Sequence, residues 1–283
     1  MLLKHSRWSW FLGALLLVSL SYMIHYVSFP FPAFQGRQGI QPIRLISWNA
    51  EGFHLNSDTL AKVACYINGQ HPDLLCFQER PHTSLLAWDS IQSAFPDYPY
   101  KIINSREDEV LNLALFSRWP IRNIKEYYFP DSYNKVLQAD IKMKWCTIRL
   151  FNVHLQTTGV AQDTKNSDLF QTLRNNAIKR NLQAEQLIKA IQKSPFPVIV
   201  CGDFNDVPSS YAYRNMARFM QDCFLKAGCG WGGSYQPWKG FFRIDYTFCS
   251  KEFGVDSYRL IKNSWSDHKM QESEIHISSY IDN

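Results

Sequence analysis

Residues 198–206 read VIVCGDFND. Three β-branched residues run into Cys201 and Gly202, and then Asp203, Asn205 and Asp206 fall within four positions. The apolar half predicts a buried strand. Taken alone, the polar half reads as a solvated turn. The neighbouring strands decide whether this one ends in a turn or in a site.

Working outward, IRLISWN (43–49), DLLCFQE (73–79) and LNLALFS (111–117) are short apolar runs of strand length. Residues 135–155 predict a hairpin, KVLQADIKM followed by CTIRLFNVHL, and RIDYTFCS (243–250) and DSYRLIK (256–262) predict two late strands. Leu60, Val63, Ala64 and Ile67 recur at i, i+3, i+4 and i+7, one apolar helix face that Ser57 or Asp58 is placed to cap. A long helix is expected from about Ser167 to Lys193, ended by Pro195 and Pro197, and another helical stretch near 209–227. Helices alternate with strands while hairpins also occur, so the fold class is α/β with mixed sheets.

What ends these strands is informative. Asn49 and Glu51 follow the first, and Gln78 and Glu79 close the second. Asn152 and His154 lie in the hairpin, Asp203 and Asn205 follow VIV, Asp245 interrupts RIDY, and Ser266-Asp267-His268 comes late. A single buried strand acid is usually a paired structural group, and a single buried histidine a satisfied core residue. Six polar strand ends together point to convergence on one site. Glu79, Glu51, Asp267 and Asn49 are hard oxygen donors suited to Mg²⁺ or Mn²⁺, whereas the histidines are too scattered for a zinc tripod. An Asp beside an Asn suits activation of water, and a histidine backed by an Asp suits charge on phosphoryl oxygens. The chemistry that fits is metal-assisted hydrolysis of a phosphate ester.

The motifs SWNAEG, CFQE, NVHL, GDFND, RIDY and SDH occur in the order seen in the endonuclease/exonuclease/phosphatase superfamily, which the chain resembles from residue 43 to 283. The resemblance is to a membrane-anchored, bacterial-type member. It implies the deoxyribonuclease-I-like fold, a four-layer α/β/β/α sandwich of two mixed sheets flanked by helices. It further implies Glu79 as the main metal ligand with Asn49, Glu51 and Asp267 around the metal, and Mg²⁺ (or Mn²⁺) as cofactor. Asp203 is then the base for the attacking water with Asn205 as its partner. His268, held by Asp245, meets the scissile phosphate, and His154 meets a phosphate oxygen or the leaving group. Asp206 is expected to be a turn residue or helix-entry cap. The chain departs from the pattern at Asn112, where relatives usually carry glycine and where Asn suits a left-handed backbone, and at SDHKM, which replaces SDH-x-Pro-Val. The signatures of inositol polyphosphate 5-phosphatases and apurinic-site endonucleases are missing.

The N-terminal segment is of another kind. Lys4 and Arg7 precede Trp8–Phe29, 22 residues without Asp, Glu, Lys or Arg. That run predicts an N-terminal transmembrane helix, N-terminus in the cytoplasm and catalytic domain outside it, with a cleaved signal peptide and a secreted enzyme as the alternative. Residues 1–36 form the anchor and linker (Pro30 to about Gln41 reading as linker), and 37–283 the catalytic domain. The net charge is +5, or +3 beyond residue 36, which excludes a basic nucleic-acid-binding tail and names no partner. Seven cysteines do not form a disulfide framework, although Cys223 and Cys229 are near enough in sequence to pair.

The expected function is a divalent-metal-dependent phosphodiesterase, nuclease-like, acting on a phosphate ester as a monomer without protein partner. The alternatives are a sphingomyelinase-like lipid-headgroup phosphodiesterase or a phosphatase. Trp231, Tyr235, Trp238, Phe241 and Phe242 either line its cleft or pack on the sheet. A non-catalytic binding domain would have lost Glu79, Asp203 or His268, and all three are present.

Overall fold

The computed structural model describes residues 7–29, 42–80, 88–103, 112–159 and 168–278. In chain order these form α1 (Arg7–Met23), β1 (Val27–Ser28), β2 (Ile43–Asn49), a 3-10 turn (Glu51–Leu55), α2 (Ser57–Gln70), β3 (Leu74–Arg80), α3 (Trp88–Ala94), β4 (Tyr100–Ile103), β5 (Asn112–Ser117) and β6 (Ile121–Tyr128). There follow β7 (Lys135–Lys142), β8 (Thr147–His154), α4 (Leu169–Gln192), β9 (Val198–Asp203), α5 (Tyr211–Phe219), β10 (Gln221–Asp222), α6 (Cys223–Ala227) and β11 (Gly230–Trp231). The last strands are β12 (Asp245–Cys249), β13 (Phe253–Ile261) and β14 (Met270–Ile277).

Two six-stranded sheets carry the domain, ordered β10-β12-β9-β8-β7-β6 and β13-β14-β2-β3-β5-β4. Both are mixed: β2 runs parallel to β3 and β8 to β9, while the other neighbours are antiparallel. Period-two alternation explains the layers. Leu45, Cys76, Leu150, Ile199 and Cys201 share a core between the sheets. Ile46, Trp48, Leu75 and Phe77 turn the other way, onto Leu60, Val63 and Ile67 of α2, Ile91 of α3 and Phe95 just beyond it. Val153, Val198 and Val200 pack instead on Ala184, Leu187 and Ile191 of α4 and on Ala212 and Met216 of α5. Three cores between four layers give the expected α/β/β/α sandwich.

Several local expectations are corrected. Asn56, not Ser57 or Asp58, caps α2, its side chain accepting from the Asp58 amide. The stretch 209–227 divides into α5 and α6, because β10 intervenes and pairs with β12. Asn112 lies buried in β5 and is not among the residues with positive φ, so a left-handed backbone does not explain it. Asp206 serves the turn, but as an anchor: it accepts from Arg180 Nε of α4 at 2.9 Å, while Ser210 caps α5. All seven cysteines are free, Cys223 buried and Cys229 exposed.

The predicted 22-residue span is not one helix. α1 stops at Met23 after 17 residues, and the chain then turns into β1, which pairs antiparallel with β11. At 1.5 Å per residue α1 is about 26 Å long, short of a hydrocarbon core of about 30 Å. Among the described residues no helix is long and apolar enough to cross a membrane. The expected linker, residues 30–41, lies outside the described residues.

Candidate active site

Strand register assembles the site. His154 pairs with Asp203 across β8–β9, and Asp203 pairs with Asp245 across β9–β12, so three titratable residues stand side by side at one end of a sheet. Asn49 ends β2 on the facing sheet and donates its Nδ2 to Asp203 Oδ2 and Glu79 Oε1, both at 3.1 Å. Gln78 and Asn152 are structural here: they bond each other at 2.7 Å between the sheets, and Asn152 also donates to the Phe77 and Ala114 carbonyls.

Glu79 reaches the site because β3 breaks its alternation. The β3–β5 register shifts between Phe77 and Arg80, and Glu79 has φ 51°. A bulge of this kind re-aims a side chain that regular pleating would send away from its even-numbered neighbour Gln78. Glu51 (φ 43°) and Asn205 (φ 52°) are left-handed as well. Backbone strain at non-glycine residues concentrates where the surrounding structure and function demand it. Gly202, at φ 137°, lets β9 lie against β8, since a Cβ there would stand 2.0 Å from the Val153 carbonyl oxygen.

The remaining residues close around this row. His268 precedes β14, with its Nδ1 2.9 Å from Asp245 Oδ2 and its Nε2 3.8 Å from Asp203 Oδ2 and 3.7 Å from Asp267 Oδ1. His154 Nε2 lies 3.6 Å from Glu79 Oε1 and 3.8 Å from Asp203 Oδ2. The Asn205 backbone N–H donates to Asp203 Oδ1 at 2.7 Å, while its side-chain Nδ2 donates to the Leu155 carbonyl. Glu51 Oε2 accepts the Asp267 backbone N–H at 2.9 Å and so ties the two predicted metal ligands together. All nine candidate residues therefore belong to one cluster.

Three supporting residues were not singled out from the sequence. Ser266 Oγ donates to the Asn49 carbonyl and accepts from the His268 N–H. Ser234 Oγ accepts from both the Ile244 and Asp245 amides. Trp48 Nε1 donates to the His268 carbonyl. Ser266 was visible inside SDH, but nothing local marks Ser234, whose role depends on a contact made ten residues away. Tyr235 does meet the site, its ring 5.1 Å from that of His268, whereas Trp238 and Phe241 stand exposed.

Burial sorts the titratable groups. Burial raises Asp203 to about 8, with the neighbouring Asp245 charge adding to it. Burial lowers His154 to about 4, so that imidazole is neutral near pH 7. Burial pulls His268 down too, but the Asp245 and Asp203 carboxylates override it and raise the imidazole to about 10. Burial also raises Asp267, helped by the Glu51 and Glu79 charges. Two histidines of one site are thus held in opposite charge states.

The donor chemistry fits a divalent cation. Glu79, Asp267 and Glu51 are only partly buried, and the Glu51 and Glu79 charges both oppose ionisation of Asp267, a repulsion that a divalent counter-charge relieves. Among the described residues, two groups bring ligand atoms within 4.8 Å of one another: Glu79–His154–Asp203 and Asp203–Asp245–His268. These centre on Asp203, whose carboxylate is buried and already takes donors from Asn49 and Asn205. The part-exposed Glu79 is the better ligand. Asn49, as placed, turns Nδ2 toward the carboxylates, and ligation by its Oδ1 requires the amide to turn over.

The comparisons agree with this chemistry. No curated protein matches the sequence. Among solved structures the fold is similar to an endonuclease/exonuclease/phosphatase from Bacteroides vulgatus at 18% identity and TM-score 0.68, covering 84% of this chain and all of that one. It is also similar to a humanized D. rerio TDP2 carrying 14 mutations, at 19% identity and TM-score 0.62, covering 83% of this chain and 98% of that one. The human Nocturnin catalytic domain with bound sulfate gives 20% identity and TM-score 0.61 over 84% and 95% of the two chains. Likeness at such identities speaks for the fold alone. The Endonuclease/Exonuclease/phosphatase family profile, however, matches residues 46–268, from the middle of β2 to the site histidine itself. A match that spans the whole site places the chain in the Endonuclease/Exonuclease/phosphatase family, as a metal-dependent hydrolase of phosphoric esters.

Proposed function

We propose that the enzyme is a phosphodiesterase in which Asp203 takes the proton of the attacking water while His268 carries positive charge to the phosphoryl oxygens. The observation that carries this reading is the 3.8 Å separation of His268 Nε2 and Asp203 Oδ2, room for one phosphate to touch both. Asn205 holds Asp203 through its backbone N–H, and Asp245 holds the His268 imidazole from behind. His154, neutral and buried, hydrogen-bonds a phosphoryl or leaving-group oxygen rather than pairing with its charge. Glu79, with Asn49, Glu51 and Asp267 around it, would hold the metal, and Mg²⁺ (or Mn²⁺) when bound would supply Lewis-acid polarisation of a phosphoryl oxygen. Water attack forms one P–O bond as another breaks; the water proton goes to Asp203 and the departing alkoxide oxygen is protonated from the site or solvent.

The relatives named TDP2 and Nocturnin share the fold at low identity and leave the substrate open. A panel of DNA, RNA, sphingomyelin vesicles, inositol phosphates and bis(p-nitrophenyl) phosphate, with Mg²⁺ or Mn²⁺, tests the reading. Wild type is run beside Glu79→Ala and His268→Ala. Turnover of a diester that needs metal, Glu79 and His268 is expected. Turnover only of monoesters makes the enzyme a phosphatase, and no turnover at all sinks the reading.

A second reading is that the enzyme works at a membrane, with α1 as its attachment and the catalytic domain outside the cytoplasm. It is favoured by the exposed apolar side chains of α1, among them Leu12, Leu16 and Leu17, and by exposed Trp238 and Phe241 in the loop that follows Tyr235. Sphingomyelin turnover exceeding that of nucleic acid, together with sedimentation of the full chain with membranes, supports it. A full chain that stays in the soluble fraction overturns it.

A further inference from the structure

The segment that follows α1 is not a free tether. The Tyr26 carbonyl accepts from the Gly232 N–H at 2.8 Å, and Val27 and Ser28 pair with Trp231 and Gly230. The Tyr26 ring stacks on Trp231 with centroids 5.3 Å apart and planes 21° apart. The His25 ring meets the Tyr213 ring edge-on at 5.5 Å. Arg243 makes the deepest attachment. Fully buried, it donates its Nη2 to both Asp222 carboxylate oxygens at 2.5 and 2.7 Å, lies against the Phe224 and Tyr246 rings, and donates its Nη1 to the His25 carbonyl at 2.8 Å. A desolvated guanidinium hydrogen bond on a backbone carbonyl fixes that carbonyl firmly.

From this seat a short run of bonds leads to the catalytic dyad. Trp231 and Gly232 begin a loop whose Ser234 Oγ accepts from the Ile244 and Asp245 amides. The Ser234 carbonyl accepts from the Lys269 N–H, Tyr235 bridges to His268, and the Gln236 N–H donates to the Asp267 carbonyl. The loop entered at β11 therefore holds both halves of the Asp245–His268 pair, and β1 is what β11 pairs with.

We propose that the segment His25–Ser28, seated by Arg243 and ending in β1, is a part of the catalytic domain that positions Asp245 and His268. The segment touches neither substrate nor metal and acts through the Ser234 loop. This assignment takes the role of the dyad from the phosphodiesterase reading above.

The test uses the full chain with Tyr26→Ala and, as the conservative variant, Tyr26→Phe, which keeps the stack on Trp231. Amide exchange is read first, without substrate. Tyr26→Ala is expected to lose protection at Asp245, Gln236 and Lys269 while β2, β3 and β8 stay protected, and Tyr26→Phe to retain it. With bis(p-nitrophenyl) phosphate and Mn²⁺, Tyr26→Ala is expected to lose roughly 10- to 100-fold in kcat, as small misplacements of reacting groups do, at unchanged KM and unchanged half-saturating Mn²⁺. Tyr26→Phe is expected to restore kcat. A Tyr26→Ala chain with wild-type exchange at Asp245 and Lys269, or with wild-type kcat, overturns the proposal. If wild type hydrolyses no phosphodiester, the functional reading fails and exchange alone decides the strand.

Discussion

Asp245 Oδ2 and His268 Nδ1 lie 2.9 Å apart, both buried, in a pair that joins β12 to the turn before β14 across 23 residues of sequence. Asp245 is the largest influence raising His268 to about 10, against a burial cost that works the other way. Asp245→Asn is therefore expected to lower kcat by on the order of 100-fold or more, the scale of losing a positioned acid–base group. The alkaline limb of the wild-type pH profile, near 10, is expected to move toward the ordinary histidine value of 6.5. Linkage gives the matching stability change. A histidine raised in the folded state binds more protons there than when unfolded, so its contribution is complete below about 6.5 and is lost as pH rises through about 10. Thermal melts of wild type and variant should thus differ most at neutral pH and below, and converge above about 10.

Asp203 shows the same sign of linkage from a different cause. Its carboxyl is raised from 3.8 to about 8 because burial and the Asp245 charge oppose ionisation. The native state then binds more protons than the unfolded chain between those values, so wild-type stability falls as pH climbs from about 4 to about 8. Asp203→Asn removes that dependence. It is expected to abolish turnover while gaining in melting temperature relative to wild type at about pH 9 compared with about pH 4. A variant with the same pH dependence of Tm as wild type would contradict the assignment of Asp203 as the strained acid.

Glu79 is a part-exposed carboxylate of the group, and Asn49 bridges it to Asp203. Glu79→Gln is expected to weaken Mn²⁺ binding by more than the roughly 10- to 100-fold typical of losing an outer-shell partner. His268→Ala is expected to leave that affinity near wild type. Titration calorimetry on both variants separates metal holding from phosphate contact, and a chelator should stop turnover of wild type outright.

How much of this was legible beforehand follows from which interactions are local. Strands β2, β5 and β9 were readable because strands buried on both faces are written as continuous apolar runs, here carrying Leu45, Leu115 and Ile199 into the core. The convergence of polar strand ends was also readable, since register turns Asp203, His154 and Asp245 into neighbours. The means by which Glu79 arrives was not, because alternation puts Gln78 on the inner face and only a bulge against β5 brings Glu79 round. Strand β6, with most of its side chains exposed, has too weak an apolar pattern to read as a strand, and β4 is too short. The N-terminal run was misread in extent for a related reason. His25, Tyr26 and Val27 look like the end of an apolar span, yet their partners Arg243, Gly232 and Trp231 lie over 200 residues away.

Gly202 offers a test of the scaffold apart from the chemistry. It stands one residue before Asp203, paired with Val153 on one side and Tyr246 on the other, at φ 137°. A Cβ would meet the Val153 carbonyl oxygen at 2.0 Å and the Val153 amide nitrogen at 2.9 Å, both backbone atoms of a central strand that cannot rotate aside. Relief demands that β8 and β9 separate, which breaks the register aligning His154 with Asp203. Gly202→Ala is therefore expected to cost more than about 3 kcal/mol in urea unfolding, in the tail of single-substitution effects reserved for backbone clashes. Gly69, at the end of α2 with nothing within 4 Å of its Cβ position, is the control. Gly69→Ala is expected to leave the unfolding free energy from urea titration within about 0.5 kcal/mol of wild type or to raise it. Equal effects at the two glycines would show that the close approach of β8 and β9 does not govern position 202.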